Sequence, residues 1–270
     1  MDTVVDGLST LAITCGLRTR FVGQIVSHYP RLPSTMEVAR KKVQQGALEG
    51  TVVVADEQSA GKGRLNRVWL SPEGSLSLSI VLYPRMAYLS YIIMVASLAV
   101  VRAVKVVTGL RAQIKWPNDV LIGGKKVCGI LVESGIRDIS VDYAIIGIGV
   151  NVNLKALDVA DILPVATSLS DELGKNVSRL ELLRHLLVEV ENLYLLLPDG
   201  ETVYREWRDN LITLGRRVHV SLGEVTYDGI AETVAKDGSL LLRGSDGSLS
   251  RILAGDVSLC DLNRESSTSA

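Results

Sequence analysis

Between Gln58 and Gly74 the chain reads QSAGKGRLNRVWLSPEG, which packs Lys62, Arg64 and Arg67 into six residues and sets Gly61 and Gly63 around the first of them. Glycine tolerates positive φ and lets the main chain approach a ligand closely, while the long cationic side chains supply charge-assisted donors. Apolar, strand-like runs flank the segment, Thr51-Val-Val-Val-Ala55 before it and Ser75-Leu-Ser-Leu-Ser-Ile-Val-Leu82 after it. A loop of this make-up, held between two buried strands, can close over an anion. The same residues also suit a solvated hairpin tip whose charges only keep the surface wet.

A second cluster is Lys115-Trp-Pro-Asn-Asp119, followed by Lys125, Lys126 and Gly129. Pro117 cannot donate to a strand ladder, so pairing stops there and Asn118 and Asp119 can turn into a cleft. Lys126 opens the otherwise apolar run Val127-Cys-Gly-Ile-Leu-Val132. A lysine at the lip of a buried strand either snorkels to water or aims its ammonium at a ligand. Gly129 and the glycines of Gly147-Ile-Gly149 thin a wall against which a ligand could lie. There is no P-loop motif, and Gly147-Ile-Gly149 lacks the third glycine of a dinucleotide fingerprint. His28, His185 and His219 sit in unrelated contexts, and no Ser/His/Asp or Cys/His arrangement marks a nucleophile. No Cys/His cluster marks a metal site either.

These residues need elements to position them. Met36–Gln45 reads as a helix with Ser34 or Thr35 at its N-cap and Gly46 near its stop. A core helix is predicted over about 88–108, ended by Gly109. Ala112–Asp119 reads as a short strand broken by Pro117. Gly123-Gly124 is a hairpin signature between Val120–Ile122 and Lys126–Glu133, and Ala144–Val152 is a fully buried strand. A long helix over 179–197 ends at Pro198 and Gly200, with another over 201–212. Residues 1–30 are weakly patterned. From Gly215 onward short alternating runs separated by Gly and Asp predict a small β barrel of about 50 residues. The tail Asn263–Ala270 is predicted disordered.

Composition bounds the function. The chain has 270 residues, 47% of them hydrophobic, enough for one large domain and a small one. A formal net charge of -1 leaves no electrostatic footprint for nucleic acid. The widely spaced Cys15, Cys128 and Cys260 suit a reducing compartment, and Asp2 and Asp6 at the N-terminus do not fit a secretory signal. The uncharged stretch Met86–Val101 falls short of the about 20 residues that span a bilayer, so a buried helix in a soluble, cytoplasmic protein is expected.

Together, STM at 34–36, QSAGKGRLNRVWLSPEG at 58–74, IKWPNDVLIGGKKVCGILVE at 114–133 and IGIGVNVN at 146–153 resemble the biotin–protein ligases. The resemblance runs in order from about residue 20 to 262 and ends in AGDVSL. It implies an α+β fold: a mixed, largely antiparallel sheet with flanking helices, related to class II aminoacyl-tRNA synthetases, plus a small C-terminal SH3-like β barrel. The implied division is an N-terminal segment over 1–20, a catalytic domain over 21–212, the barrel over 213–262 and the tail over 263–270. The implied substrates are biotin and ATP with Mg²⁺, and the implied partner is a biotin carboxyl carrier domain. A homodimer is a further expectation.

Carried over residue by residue, the resemblance places Ser34, Thr35 and Gln58 against the biotin ring, with Gly63 and Arg64 lining the same pocket, and counts Met36, Lys62 and Gly129 among the binding residues. Lys126 becomes the cation near the biotin carboxylate and the α-phosphate. Arg64, Arg67, Trp69, Lys115, Asn118 and Asn151 surround the ATP side, and Asp119 helps to hold magnesium and the loop. Lys126, Arg64 and Asp119 are the implied catalytic residues.

There are departures from the family pattern. The loop is most often GRGRRGR, and Lys62, Leu65 and Asn66 stand here for two arginines and a glycine. Met36 stands where asparagine is common. Positive charge is kept at position 62, so phosphate attraction there should persist, without arginine's bidentate fork. A lipoate or octanoate ligase on the same fold would use a different glycine-rich motif, which is missing. A biotin-sensing repressor would need a winged helix, and the 33 residues before Ser34 are too few for one plus a linker.

Overall fold

Ser75-Leu-Ser-Leu-Ser-Ile alternates small polar with aliphatic side chains, and a strand turns period two into two unlike faces. In the computed structural model, which describes residues 7–154 and 166–259, this run is the third strand of a seven-stranded sheet. The spatial order is β1 (Val26–Leu32), β2 (Val52–Gln58), β3 (Ser75–Leu82), β7 (Ser140–Asn151), β6 (Lys125–Arg137), β5 (Asp119–Ile122) and β4 (Gln113–Lys115). Only β1 and β2 run parallel, so the sheet is mixed and largely antiparallel, as expected. Gly123 and Gly124 adopt φ of 57° and 83°, the left-handed pair that a two-residue hairpin between β5 and β6 requires.

The aliphatic face of β3 (Leu76, Leu78, Ile80, Leu82) joins Ile146, Ile148 and Val150 of β7 in the main core. Two long helices pack there, α3 (Ile92–Thr108) and α5 (Arg179–Leu195). The helical stretch Met86–Thr108 is long and apolar enough to cross a membrane by length and composition, yet 61% of its most apolar window is buried inside the protein. The serine face of β3 is covered in part by α2 (Thr35–Gln44), whose Met36 and Ala39 pack on Val53, Ala55, Val81 and Ile145.

The N-terminal residues are more structured than their pattern suggests. A short helix α1 (Thr10–Thr14) is capped by Ser9, and β1 forms although His28, Pro30 and Arg31 interrupt its apolar run. Pro30 is tolerated because β1 is the edge strand. α5 holds this region. Its buried Glu191 accepts hydrogen bonds from the main-chain N–H groups of Arg20, Phe21 and Val22 at 2.6, 2.8 and 3.0 Å, and Arg184 donates to the Ala12 carbonyl at 2.7 Å.

Further on, a short α4 (Leu169–Leu173) precedes α5. Gly200 opens α6 (Gly200–Asp209) rather than stopping the helix before it, because Leu197-Pro198-Asp199 already makes the turn as a 3-10 segment. The C-terminal antiparallel sheet has the order β11 (Leu249–Ile252), β10 (Leu240–Arg243), β9 (Val225–Val234), β8 (Arg217–Leu222), β12 (Asp256–Leu259). β12 is a strand that alternation alone did not reveal. Val218, Val220, Ala231 and Leu240 of this sheet join the same apolar cluster as the large sheet. Cys260 and the tail predicted to be disordered lie outside the described residues.

Candidate active site

Residues paired across antiparallel strands share a face. The register Ala55↔Ser77, Ser77↔Gly149, Gly149↔Gly129 and Gly129↔Asp119 therefore lays one row of small side chains over β2, β3, β7 and β6, with a carboxylate at its end on β5. Gly149, Gly129 and Asp119 of that row, with Gly147, line a cleft open to solvent that holds about 780 Å³ of empty space, while Ala55 and Ser77 lie buried beneath its other end.

At one end the floor is hydrogen-bonded to α2. Gln58 Oε1 accepts from Thr35 N–H at 2.8 Å, and Gln58 Nε2 donates to Ser77 Oγ at 3.3 Å. Ser79 Oγ donates to Thr35 Oγ1 at 2.8 Å, and the Ser71 and Ser77 hydroxyls are 2.6 Å apart. Ser34 caps α2 by position but its hydroxyl makes no cap bond. Buried and lining the cleft, that hydroxyl has no partner among the described residues, a group that a polar ligand atom would satisfy.

Cations gather at the other end. Lys126 Nζ lies 2.6 Å from Asp119 Oδ1 and 5.4 Å from the centre of the Trp69 indole, so it turns into the cleft instead of snorkelling away. The Lys126–Asp119 contact is an ion pair without hydrogen-bond alignment. Lys115 Nζ approaches the other oxygen of Asp119 at 3.7 Å. Asn118 is fixed by its side-chain N–H to the Ile130 carbonyl at 3.0 Å and accepts from Arg64 at 2.8 Å. Arg64 is the most enclosed loop cation, and burial pulls its guanidinium below the ordinary arginine value.

The basic loop roofs this floor. Gly63 N–H donates to the Arg67 carbonyl at 2.8 Å, Trp69 N–H to the Gly61 carbonyl at 2.9 Å, and Leu65 between them takes φ 53°. The open wall expected at the glycines is instead filled from within the protein. A Cβ at Gly149 would come within 2.3 Å of Trp69 Nε1, one at Gly129 within 3.0 Å of the same ring, and one at Gly147 within 2.6 Å of Met36 Sδ. The missing side chains thus make the seats of Trp69 and Met36.

Most of the residues singled out from sequence meet here. Ser34, Thr35, Met36, Gln58, Gly63 and Gly129 line the cleft, as do Lys62, Arg64, Arg67, Trp69, Asn118, Asp119 and Lys126. Lys115 lines an adjoining hollow with Arg67, Asp119 and Asp256. Asn151 lines neither, because its buried side-chain N–H is directed to the Thr167 carbonyl at 3.0 Å. Lys62 does not stand free for phosphate, since its ammonium pairs with Glu37 on α2 at 2.6 Å. None of the histidines lines the cleft.

Residues 29–151 match the Biotin/lipoate A/B protein ligase family, and residues 213–260 match the Biotin protein ligase C terminal domain. The bifunctional ligase/repressor BirA of Bacillus subtilis is 36% identical over 258 residues, 93% of this chain and 79% of that protein. The chain belongs to the biotin protein ligase family. A biotin–[acetyl-CoA-carboxylase] ligase of Paracoccus denitrificans is 34% identical over 218 residues, covering 76% of this ligase and 89% of that one. The biotin protein ligase of Aquifex aeolicus, solved in complex with biotin and ATP, superposes with a TM-score of 0.76 at 31% identity, over 88% of this chain and 99% of its own.

Two acidic residues of the ligase escaped the sequence reading. Asp256 on β12 pairs with Arg67 and lines the cleft, and the neighbouring Gly255 carbonyl accepts from Arg64 at 3.2 Å. Its only sequence signal lay in AGDVSL, nearly 190 residues from its partner in the loop. Glu37 directly follows STM, but only the fold brings the loop to it.

Proposed function

We propose that this ligase activates biotin with ATP to biotinyl-5′-AMP and then passes the biotinyl group to a lysine of a biotin carboxyl carrier domain. What carries the reading is the cleft itself. Its wall of Gly147, Gly149 and Gly129 runs from a hydrogen-bonding end at Ser34, Thr35 and Gln58 to a cationic end at Lys126 and Arg64, under a basic roof.

The first end suits a neutral, polar bicyclic head group. Thr35 and Gln58 are already oriented by each other, and the Ser34 hydroxyl is left to donate. An aliphatic tail would lie along the floor beside Trp69 and bring its carboxylate to Lys126. In the first step a carboxylate oxygen attacks the α-phosphorus of ATP, a P–O bond forms, the α–β P–O bond breaks and pyrophosphate leaves. In the second, the uncharged ε-amine of the carrier lysine attacks the biotinyl carbonyl carbon, the amide C–N bond forms as the nitrogen gives one proton to solvent, and AMP leaves with the acyl C–O bond broken.

Both reactants of the first step are anions, so cations fixed in place lower its barrier. Lys126 neutralises the carboxylate and the α-phosphate, Arg64 forks onto the phosphate, and Lys115 and Arg67 meet the outer phosphates. No protein nucleophile is needed. Burial raises the Cys128 thiol well above its ordinary value, so it stays protonated and inert. Mg²⁺ is ordinarily held by one or two carboxylates and the nucleotide's own phosphates, and Asp119 and Asp256 flank the adjoining hollow where those phosphates would lie. The ion would offset phosphate charge there.

Beyond Gly129, β6 has no strand on its outer side among the described residues. That edge could pair with a second copy, and the homodimer belongs to this proposal. A reducing, cytoplasmic location agrees with the scattered cysteines. To test the reading, protein, ATP and Mg²⁺ are mixed with biotin in one tube and lipoate in another, and the adenylates are weighed by mass spectrometry. Biotinyl-AMP alone is expected. An adenylate formed only with lipoate would overturn the substrate.

A further inference from the structure

The basic loop is fastened at both shoulders. On one side Arg67 pairs with Asp256, and Arg64 donates to Asn118 and to the Gly255 carbonyl. On the other, Lys62 Nζ lies 2.6 Å from Glu37 Oε1, in the first turn of α2. Lys62 lines the cleft and Glu37 stands behind it. Apart from Trp69 the loop has little apolar anchorage, for Leu65, Val68 and Leu70 are 59%, 74% and 49% exposed. Main-chain bonds tie its two ends to the body, Ser59 and Ala60 to the Leu32 and Pro33 carbonyls and Ser71 to Gln58 of β2, whereas the Lys62↔Val68 bridge at its tip lies within the segment.

We propose that Glu37 is a positioning residue for the loop, holding the Lys62 ammonium against α2 so that the roof stays closed over the acyl-adenylate. The proposal rests on the ligase reading for the identity of what is enclosed, and on geometry alone for the latch. Three cations face Glu37: Lys62 from the loop, and Arg40 and Lys41 from its own helix. Arg40 is drawn away by Glu133 on β6, which leaves Lys62 as the partner in hydrogen-bonding contact. That contact is the leading reason the Glu37 carboxyl sits below its usual value. The side chains are 47% and 35% exposed, so water and salt weaken the pair. A weak latch suits a roof that must open in every turnover.

The test uses the full-length protein without ligands and trypsin, which cuts after Lys62, Arg64 and Arg67. Glu37→Gln should speed cleavage within this loop by roughly 2- to 5-fold at low salt, the range expected from losing one exposed ion pair. High salt should bring the wild type up to the variant, and Glu37→Asp should keep most of the protection. A second measurement follows escape of preformed biotinyl-AMP, which should quicken by a similar factor. If the wild type makes no biotinyl-AMP, the ligase reading falls while the proteolysis still decides the latch. Equal loop cleavage in Glu37→Gln and wild type overturns the proposal. So does acceleration spread over all sites alike and insensitive to salt, which would mean that Glu37 only stabilises α2.

Discussion

At the scale of single residues, the decisive group is Lys126. Its ammonium is held between the Asp119 carboxylate and the Trp69 face, which fixes its position before any substrate arrives. Preorganised charge of this kind typically contributes about 10²-fold or more to a rate. Lys126→Ala should therefore lower adenylate formation by roughly 10²-fold, measured as pyrophosphate release at saturating substrates. Its melting temperature should hardly move, because the side chain is part-exposed and packs little. Near-normal adenylation in a folded variant would return Lys126 to an ordinary strand-lip lysine. Sequence reading found this residue and left two orientations open, since no pattern in Lys125-Lys126-Val127 says which lysine turns inward. The fold decides through a register shift between Val120 and Leu121, which sets Lys126 beside Asp119.

At the scale of elements, the cleft comes from a register and not from any one motif. Gln58, Gly149 and Gly129 line a single trough only when β2, β3, β7 and β6 pair as they do. The strands themselves were legible, because buried runs such as Ala144–Val152 and the Gly-Gly turn are local signals. The occupants of the trough were not, because Trp69 and Met36 arrive from a loop and a helix. The glycine seat has a testable consequence. Gly149→Ala would place a methyl 2.3 Å from Trp69 Nε1, against a side chain on a loop that can move. The indole should lift, its fluorescence should shift to longer wavelength, and biotin affinity should fall by about 10-fold, the lower part of the usual overpacking cost. Trp116 and Trp207 are almost wholly buried elsewhere, so the spectral change reports Trp69. Unchanged emission and affinity would mean that the seat does not hold the roof.

At the scale of the whole molecule, the change of texture after Gly215 reads as a separate small barrel, and the packing binds that barrel to the rest. Trp116 beside the cleft donates through its indole to the Gly238 carbonyl at 2.8 Å, and its main-chain N–H donates to Thr213 at 2.9 Å. Tyr204 donates to the Val234 carbonyl at 2.6 Å. Such contacts span 97 or 122 residues of chain and leave no local trace, so sequence pattern separates what packing joins. The full chain should unfold in a single calorimetric transition. A chain cut at residue 212 should melt well below it, since each buried aliphatic left exposed costs about 1.5–3 kcal/mol. Two resolved transitions, or a truncated chain as stable as the whole, would show the barrel to be independent.

The central claim joins all three scales: one trough accepts biotin, its cationic end presents the carboxylate to ATP, and the roof keeps the product. The most direct measurement is a burst experiment with the purified protein, biotin, ATP and Mg²⁺, followed by rapid gel filtration. About one pyrophosphate should be released per protein chain, with biotinyl-AMP travelling in the protein peak, because a carrier lysine is needed to discharge it. Absence of a burst with biotin, or a burst obtained with lipoate in its place, would contradict the account.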